Sequence, residues 1–106
     1  LKGFIPFTLL GWPSFEHSYR QLACMVEAGA YALEIGLPFS DPVADGPIIQ
    51  RAVFDALNNG FTLKQAWPWL ARVRQLSATI PMGLLVYHNM VQATAYEAFC
   101  HQAKAS

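Results

Sequence analysis

Two carboxylates, Glu34 and Asp45, stand eleven positions apart in the run Leu33-Glu34-Ile35-Gly36-Leu37-Pro38-Phe39-Ser40-Asp41-Pro42-Val43-Ala44-Asp45-Gly46-Pro47. Glu34 is the more informative, because every other residue from Tyr31 to Leu37 is apolar or glycine. Side chains alternate along a strand, so Tyr31, Leu33, Ile35 and Leu37 share one face and Ala32, Glu34 and Gly36 the other. A lone buried carboxylate is costly unless it is paired or holds a proton. Glu34 between two small residues on an inward face therefore reads as a placed acid with room for a ligand beside it. The residues alone leave an equal alternative, a strand-end acid in solvent or paired with an arginine. Asp45 precedes Gly46-Pro47 and also suits a helix N-cap. Asp41 reads as a loop brace accepting backbone N–H bonds. His88 follows a strand, where acid–base work is possible, but a structural or interface role fits it better.

The elements that must carry these groups follow a βα rhythm. Phe4 to Leu10 reads as a short apolar strand, with Pro6 putting it near a sheet edge or strand start. Gly11-Trp12-Pro13 breaks it, Ser14 caps a helix from Phe15 to Ala28, and Gly29 stops that helix. Tyr31 to Leu37 is the second strand. After the acid-bearing loop, Pro47 opens a helix to about Asn58, and Gly60 ends it. Thr62-Leu63-Lys64-Gln65 resembles a capping box and starts a further helix to about Leu76, which Pro68 should kink. Ile80 to Tyr87 is the third strand, with Gly83, Leu85 and Tyr87 on one face. Ala95 to Ala105 is the last helix. Repeated βα units call for a parallel sheet with right-handed crossovers.

Composition narrows the class. The chain has 106 residues, 54% hydrophobic and 13% charged, against about 25% charged in an average globular protein. This describes one interior-rich domain, expected to span 1–106. A formal net charge of zero gives no electrostatic case for nucleic acid or an anionic membrane. No apolar run approaches the roughly 20 residues of a spanning helix, and no signal-peptide layout is read at the start. Cys24 and Cys100 lack metal spacing and are expected as reduced, buried thiols of a cytoplasmic protein. His17 and His101 read as solvated helix residues, and Trp67 and Trp69 as packing.

The run from Leu33 to Pro47 closely resembles the signature of the tryptophan synthase alpha chain family. Pro6-Phe7 with Gly11-Trp12-Pro13 resembles that family's first strand and turn, and Ile80 to Asn89 its third strand. The three blocks keep the family's order and spacing. Trp12, Ile48 and Ala95 depart from it, standing where a polar residue, a threonine and a glycine are usual.

The resemblance implies a (β/α)₈ TIM barrel that cleaves indole-3-glycerol phosphate to indole and glyceraldehyde 3-phosphate in tryptophan biosynthesis. It implies Glu34 as catalytic acid/base and Asp45 as the carboxylate holding the indole nitrogen. Phe7 and Leu85 would wall the indole pocket, and Tyr87 would lie near the reacting carbons; by residue type alone Phe7 and Leu85 are core residues in any fold, and for Tyr87 ordinary barrel packing is an equal alternative. No cofactor or metal is implied for this chain, and pyridoxal phosphate is expected only on the beta chain that takes up the indole. That partner would be met through the loops at the catalytic end, including Asp41-Pro42 and His88-Asn89. A TIM barrel needs about 250 residues and eight strands; this chain supplies three βα units, an incomplete barrel without the later glycine-rich phosphate loops. It is expected to be a fragment, inactive alone and prone to self-association through open sheet edges. Two other readings stand beside this one: a non-catalytic half-barrel that serves as a structural or interaction piece, and another phosphate-sugar barrel enzyme.

Overall fold

The computed structural model describes residues 2–106; Leu1, first residue of the expected unit 1–106, lies outside the described residues. Three parallel strands, β1 (Phe7–Leu9), β2 (Leu33–Gly36) and β3 (Met82–Leu85), form one sheet in the order β1-β2-β3. Phe7 pairs with Glu34, Leu9 with Gly36, Glu34 with Gly83 and Gly36 with Leu85. The strands are shorter than the apolar runs, yet the ladder reaches past them through carbonyls. Pro6 accepts from Glu34 N–H at 3.0 Å and Pro81 from Leu33 N–H at 2.9 Å. Proline has no N–H to give, so each sits where only its oxygen is needed.

Among the described residues five helices accompany the sheet: α1 (Phe15–Glu27), α2 (Pro47–Asn58), α3 (Leu63–Leu76), α4 (His88–Ala93) and α5 (Tyr96–Ala105). The caps behave as their residues require. Ser14 Oγ accepts from His17 N–H at 3.1 Å. Thr62 Oγ1 accepts from Gln65 N–H at 3.3 Å and donates to Gln65 Oε1 at 3.0 Å. Gly29 and Gly60, after α1 and α2, take positive φ of 87° and 95°, the left-handed conformation that glycine adopts without steric cost. Pro68 lies inside α3, which nevertheless runs on to Leu76.

One face of the sheet, carrying Leu33, Ile35 and Leu84, packs on the helices. Its core holds Leu22, Leu33, Ile35, Leu70 and Val73, each 1% exposed or less. Trp69 stacks on Phe15 at 5.7 Å and Trp67 meets Phe99 edge-on at 5.2 Å, so both tryptophans are packing residues. The other face carries Phe7, Leu9, Glu34, Gly36, Gly83 and Leu85. Phe7 and Leu9 fold over Gly36, where a Cβ would meet Phe7 Cζ at 2.8 Å.

Two expectations are corrected. The segment after β3 is not a plain loop: α4 occupies His88–Ala93, anchored by buried Met90 and Val91. Cys24 and Cys100 are exposed, not buried; each lies on a helix whose buried stripe is filled by others, Leu22 in α1 and Phe99 in α5.

Candidate active site

The site is built where the β2–α2 loop meets the end of β3. Leu37 and Pro38 are buried at the loop's start, and Phe39 stacks on Tyr87 with ring centroids 5.3 Å apart. Tight turns then reverse the chain, with Val43 N–H donating to Asp41 O at 2.9 Å and Asp45 N–H to Pro42 O at 3.2 Å. Asp41 takes part through its backbone carbonyl, and among the described residues its carboxylate accepts no backbone N–H of the loop. Gly46, not Asp45, is the N-cap of α2, and it makes no side-chain cap.

The Asp45 carboxylate is engaged elsewhere. Tyr87 Oη donates to Asp45 Oδ2 at 2.8 Å and accepts from Ala44 N–H at 3.0 Å. Desolvation, then the hydrogen bond to the Asp45 carboxylate, pushes the Tyr87 phenol above its ordinary value of 10.0. The phenol therefore stays protonated, a donor, through the neutral range. Among the described residues Asp45 Oδ1 takes no hydrogen bond, which leaves it able to accept one from a ligand.

A cavity of about 440 Å³ lies beneath this contact. Its walls are Phe7, Leu9, Gly36, Ile49, Val53 and Leu85, and its polar edge is Asp45, Tyr87 and His88. Such a space, apolar with a few convergent polar groups, has the character of a small-molecule pocket. It opens at the C-terminal ends of the strands, where parallel α/β barrels hold their ligands. A larger hollow of about 980 Å³ runs along the open edge of β1 between α1 and α2, but neither Glu34 nor Asp45 lines it.

Asp45, Phe7, Leu85 and Tyr87 are thus brought together around one space. Glu34 is not among its walls. It shares the face of Phe7 and Gly83, two residues before Gly36 and so about 6.6 Å lower along the strand. The expected burial of its carboxylate is corrected: Glu34 is exposed. The reason is the sheet's width. Three strands curve only part of the way round, and Gly83 and Leu85 on the same face are exposed too.

Sequence reading missed Gln50. Its carboxamide donates to Pro42 O at 3.1 Å and to Asp45 O at 2.9 Å. The available signal was a two-donor side chain in the first turn of a helix entered from a proline-tied loop with free carbonyls.

All of residues 1–106 match the model of a family described as "Tryptophan synthase alpha chain". The chain belongs to the tryptophan synthase alpha chain family. A tryptophan synthase alpha chain of Citrobacter koseri is 48% identical over 101 residues, which is 95% of this chain and 38% of that one. The Escherichia coli K12 alpha chain is 46% identical over the same shares. Among solved structures, a chain from Aquifex aeolicus superposes with a TM-score of 0.94 at 35% identity, covering 98% of this chain and 41% of its own. A Pyrococcus furiosus chain, from a structure of the tryptophan synthase complex, superposes with a TM-score of 0.90 at 36% identity, covering 97% and 42%. The chain therefore spans about 38% of the length of the curated alpha chains it matches. Its open three-stranded sheet is three βα units of the family's TIM barrel.

Proposed function

We propose that these residues form the N-terminal part of an alpha chain that cleaves indole-3-glycerol phosphate to indole and glyceraldehyde 3-phosphate in tryptophan biosynthesis. The observation that carries the reading is the cavity in which Asp45 and Tyr87 close one end of an apolar space lined by Phe7 and Leu85. An indole ring is flat and apolar with a single N–H donor, and Asp45 Oδ1 is an acceptor at the rim of a space of that character.

The chemistry is a retro-aldol cleavage. A proton added at indole C3 leaves positive charge spread toward the ring nitrogen, and a fixed Asp45 carboxylate there lowers the energy of that species. Removal of the proton from the side-chain hydroxyl makes the aldehyde carbonyl as the carbon–carbon bond breaks. The electron pair of that bond returns to the ring and neutralises it. Glu34, on the same face, is the carboxyl proposed to deliver and take up these protons. Its exposure in this chain fits the absence of strands opposite it. The phosphate has no anchor among the described residues, so the isolated chain is proposed to be inactive. The beta chain is the proposed partner, meeting the loop that carries Asp41-Pro42 and the start of α4 at His88-Asn89; a relative in the Pyrococcus furiosus structure is described as part of a tryptophan synthase complex.

The test is a chimera in which these 106 residues replace the matching part of the Citrobacter koseri chain. Glu34→Gln and Asp45→Asn should each lower indole release by about 10²-fold or more with the fold retained. Full activity in Glu34→Gln, or in Asp45→Asn, would remove that residue from the mechanism. The isolated 106 residues should release no indole.

A further inference from the structure

We infer that Gln50 is a positioning residue for Asp45, acting with Tyr87 to hold the β2–α2 loop in the conformation that presents the carboxylate to the cavity. The inference rests on the functional reading of Asp45 given above. Loop residues have no ladder to order them, so a carboxylate on a loop is placed only as well as its supports. Asp45 has two. Tyr87, 42 positions away just past β3 at the N-cap of α4, holds Oδ2. Gln50, in the first turn of α2, holds the backbone carbonyl of Asp45 at 2.9 Å and that of Pro42 at 3.1 Å.

A carboxamide has two N–H donors on one nitrogen, and here both are spent on carbonyls three positions apart. The clamp spans the turn closed by Asp45 N–H and Pro42 O, so Pro42 O accepts twice. Gln50 itself is fixed by the first backbone bond of the helix, N–H to Gly46 O at 2.9 Å. The loop's last turn is thereby referenced to a helix, and its carboxylate to a strand end. Asp45 Oδ1 is left as the free acceptor. Loss of the carboxamide should let Asp45 drift while Tyr87 alone tethers it, and a displacement of about 1 Å in a positioning group can cost 10²-fold in rate.

The test uses the full-length chimera, with Gln50→Leu, Gln50→Glu, Asp45→Asn and the double variant Gln50→Leu/Asp45→Asn. Gln50→Leu should lower kcat for indole-3-glycerol phosphate cleavage at least about tenfold with a smaller change in KM. Gln50→Glu carries acceptors where donors are needed; once protonated it regains one donor, so its activity relative to the parent should recover as the pH falls. Gln50→Leu should show no such recovery. The double variant should be no slower than Asp45→Asn alone, because a support acts only through what it supports. A kcat for Gln50→Leu within twofold of the parent, a pH profile of Gln50→Glu parallel to that of Gln50→Leu, or multiplied losses in the double variant would each overturn the inference. An active Asp45→Asn would instead remove the reading on which it rests. If Gln50→Leu fails to fold, the pH profile of Gln50→Glu against that of the parent decides, parallel profiles overturning the inference.

Discussion

Ala95 carries φ 72° and ψ 124° at the entry to α5, a backbone conformation that L side chains rarely adopt, which costs about 1–3 kcal/mol. The alpha chain resemblance puts a glycine there, and the geometry gives the reason. Ala95→Gly is expected to stabilise the chain by about 1 kcal/mol, since relief of the strain exceeds the added chain entropy of glycine; urea unfolding measures it, and an unchanged or lower midpoint would count against the strain. Tyr87 makes a second case. Its phenol titrates higher when folded than the ordinary 10.0 because of desolvation and the bond to Asp45. A group raised on folding contributes stability that is fully present below its unfolded value and is lost as pH rises through its folded one. The Tyr87 contribution should therefore hold up to about pH 10 and fade above it. Tyr87→Phe should be less stable than the parent at neutral pH and converge with it in the alkaline range, read from melting temperatures across pH.

At the scale of elements, the β1–α1 turn depends on one buried hydroxyl. Ser18 is 0% exposed, accepts from Gly11 N–H at 3.0 Å and donates to Phe15 O at 3.0 Å. Gly11 has φ 90°, and a Cβ there would meet Phe61 Cδ2 at 2.9 Å, so the turn is fixed from both sides. Ser18→Ala should cost about 1–3 kcal/mol, because a buried N–H loses its acceptor. Ser14→Ala, at the exposed cap of the same helix, should cost about 1 kcal/mol. Denaturant unfolding of both variants compares them; a smaller loss at Ser18 than at Ser14 would contradict the burial argument. The acid-bearing loop follows the same logic of supports: α2 holds it through Gln50 and β3 through Tyr87.

At the scale of the whole molecule, a radius of gyration of 13.4 Å matches the roughly 13 Å of a compact 100-residue domain. The helices thus bury a core on one face of the sheet even though the other, beyond the contact of Leu9 with α2, stays open. Leu85 on that face is 57% exposed, and Phe4 and Ile5 before β1 are 56% and 51% exposed, beside two sheet edges with unpaired backbone groups. Edges and apolar surface of this kind template association. The 106-residue chain is expected to elute as concentration-dependent oligomers, and a single monomer peak across a hundredfold range of concentration would show that the open face is tolerated.

Period-two alternation across Leu33 to Leu37, the caps at Ser14 and Thr62, and the stops at Gly29 and Gly60 were legible in the residues, because each is decided by interactions within a few positions along the chain; Tyr31, expected on the strand, lies outside it and is exposed. The family was legible for a different reason, an uncommon unbroken run from Leu33 to Pro47. Tertiary structure alone decided the rest. It joined Asp45 to Tyr87 across 42 positions and so took the carboxylate away from the helix cap it could have formed. It turned both thiols outward and set α4 after β3. It also left Glu34 in solvent, because a side chain's burial depends on what stands opposite, and three strands do not curve far enough to face it.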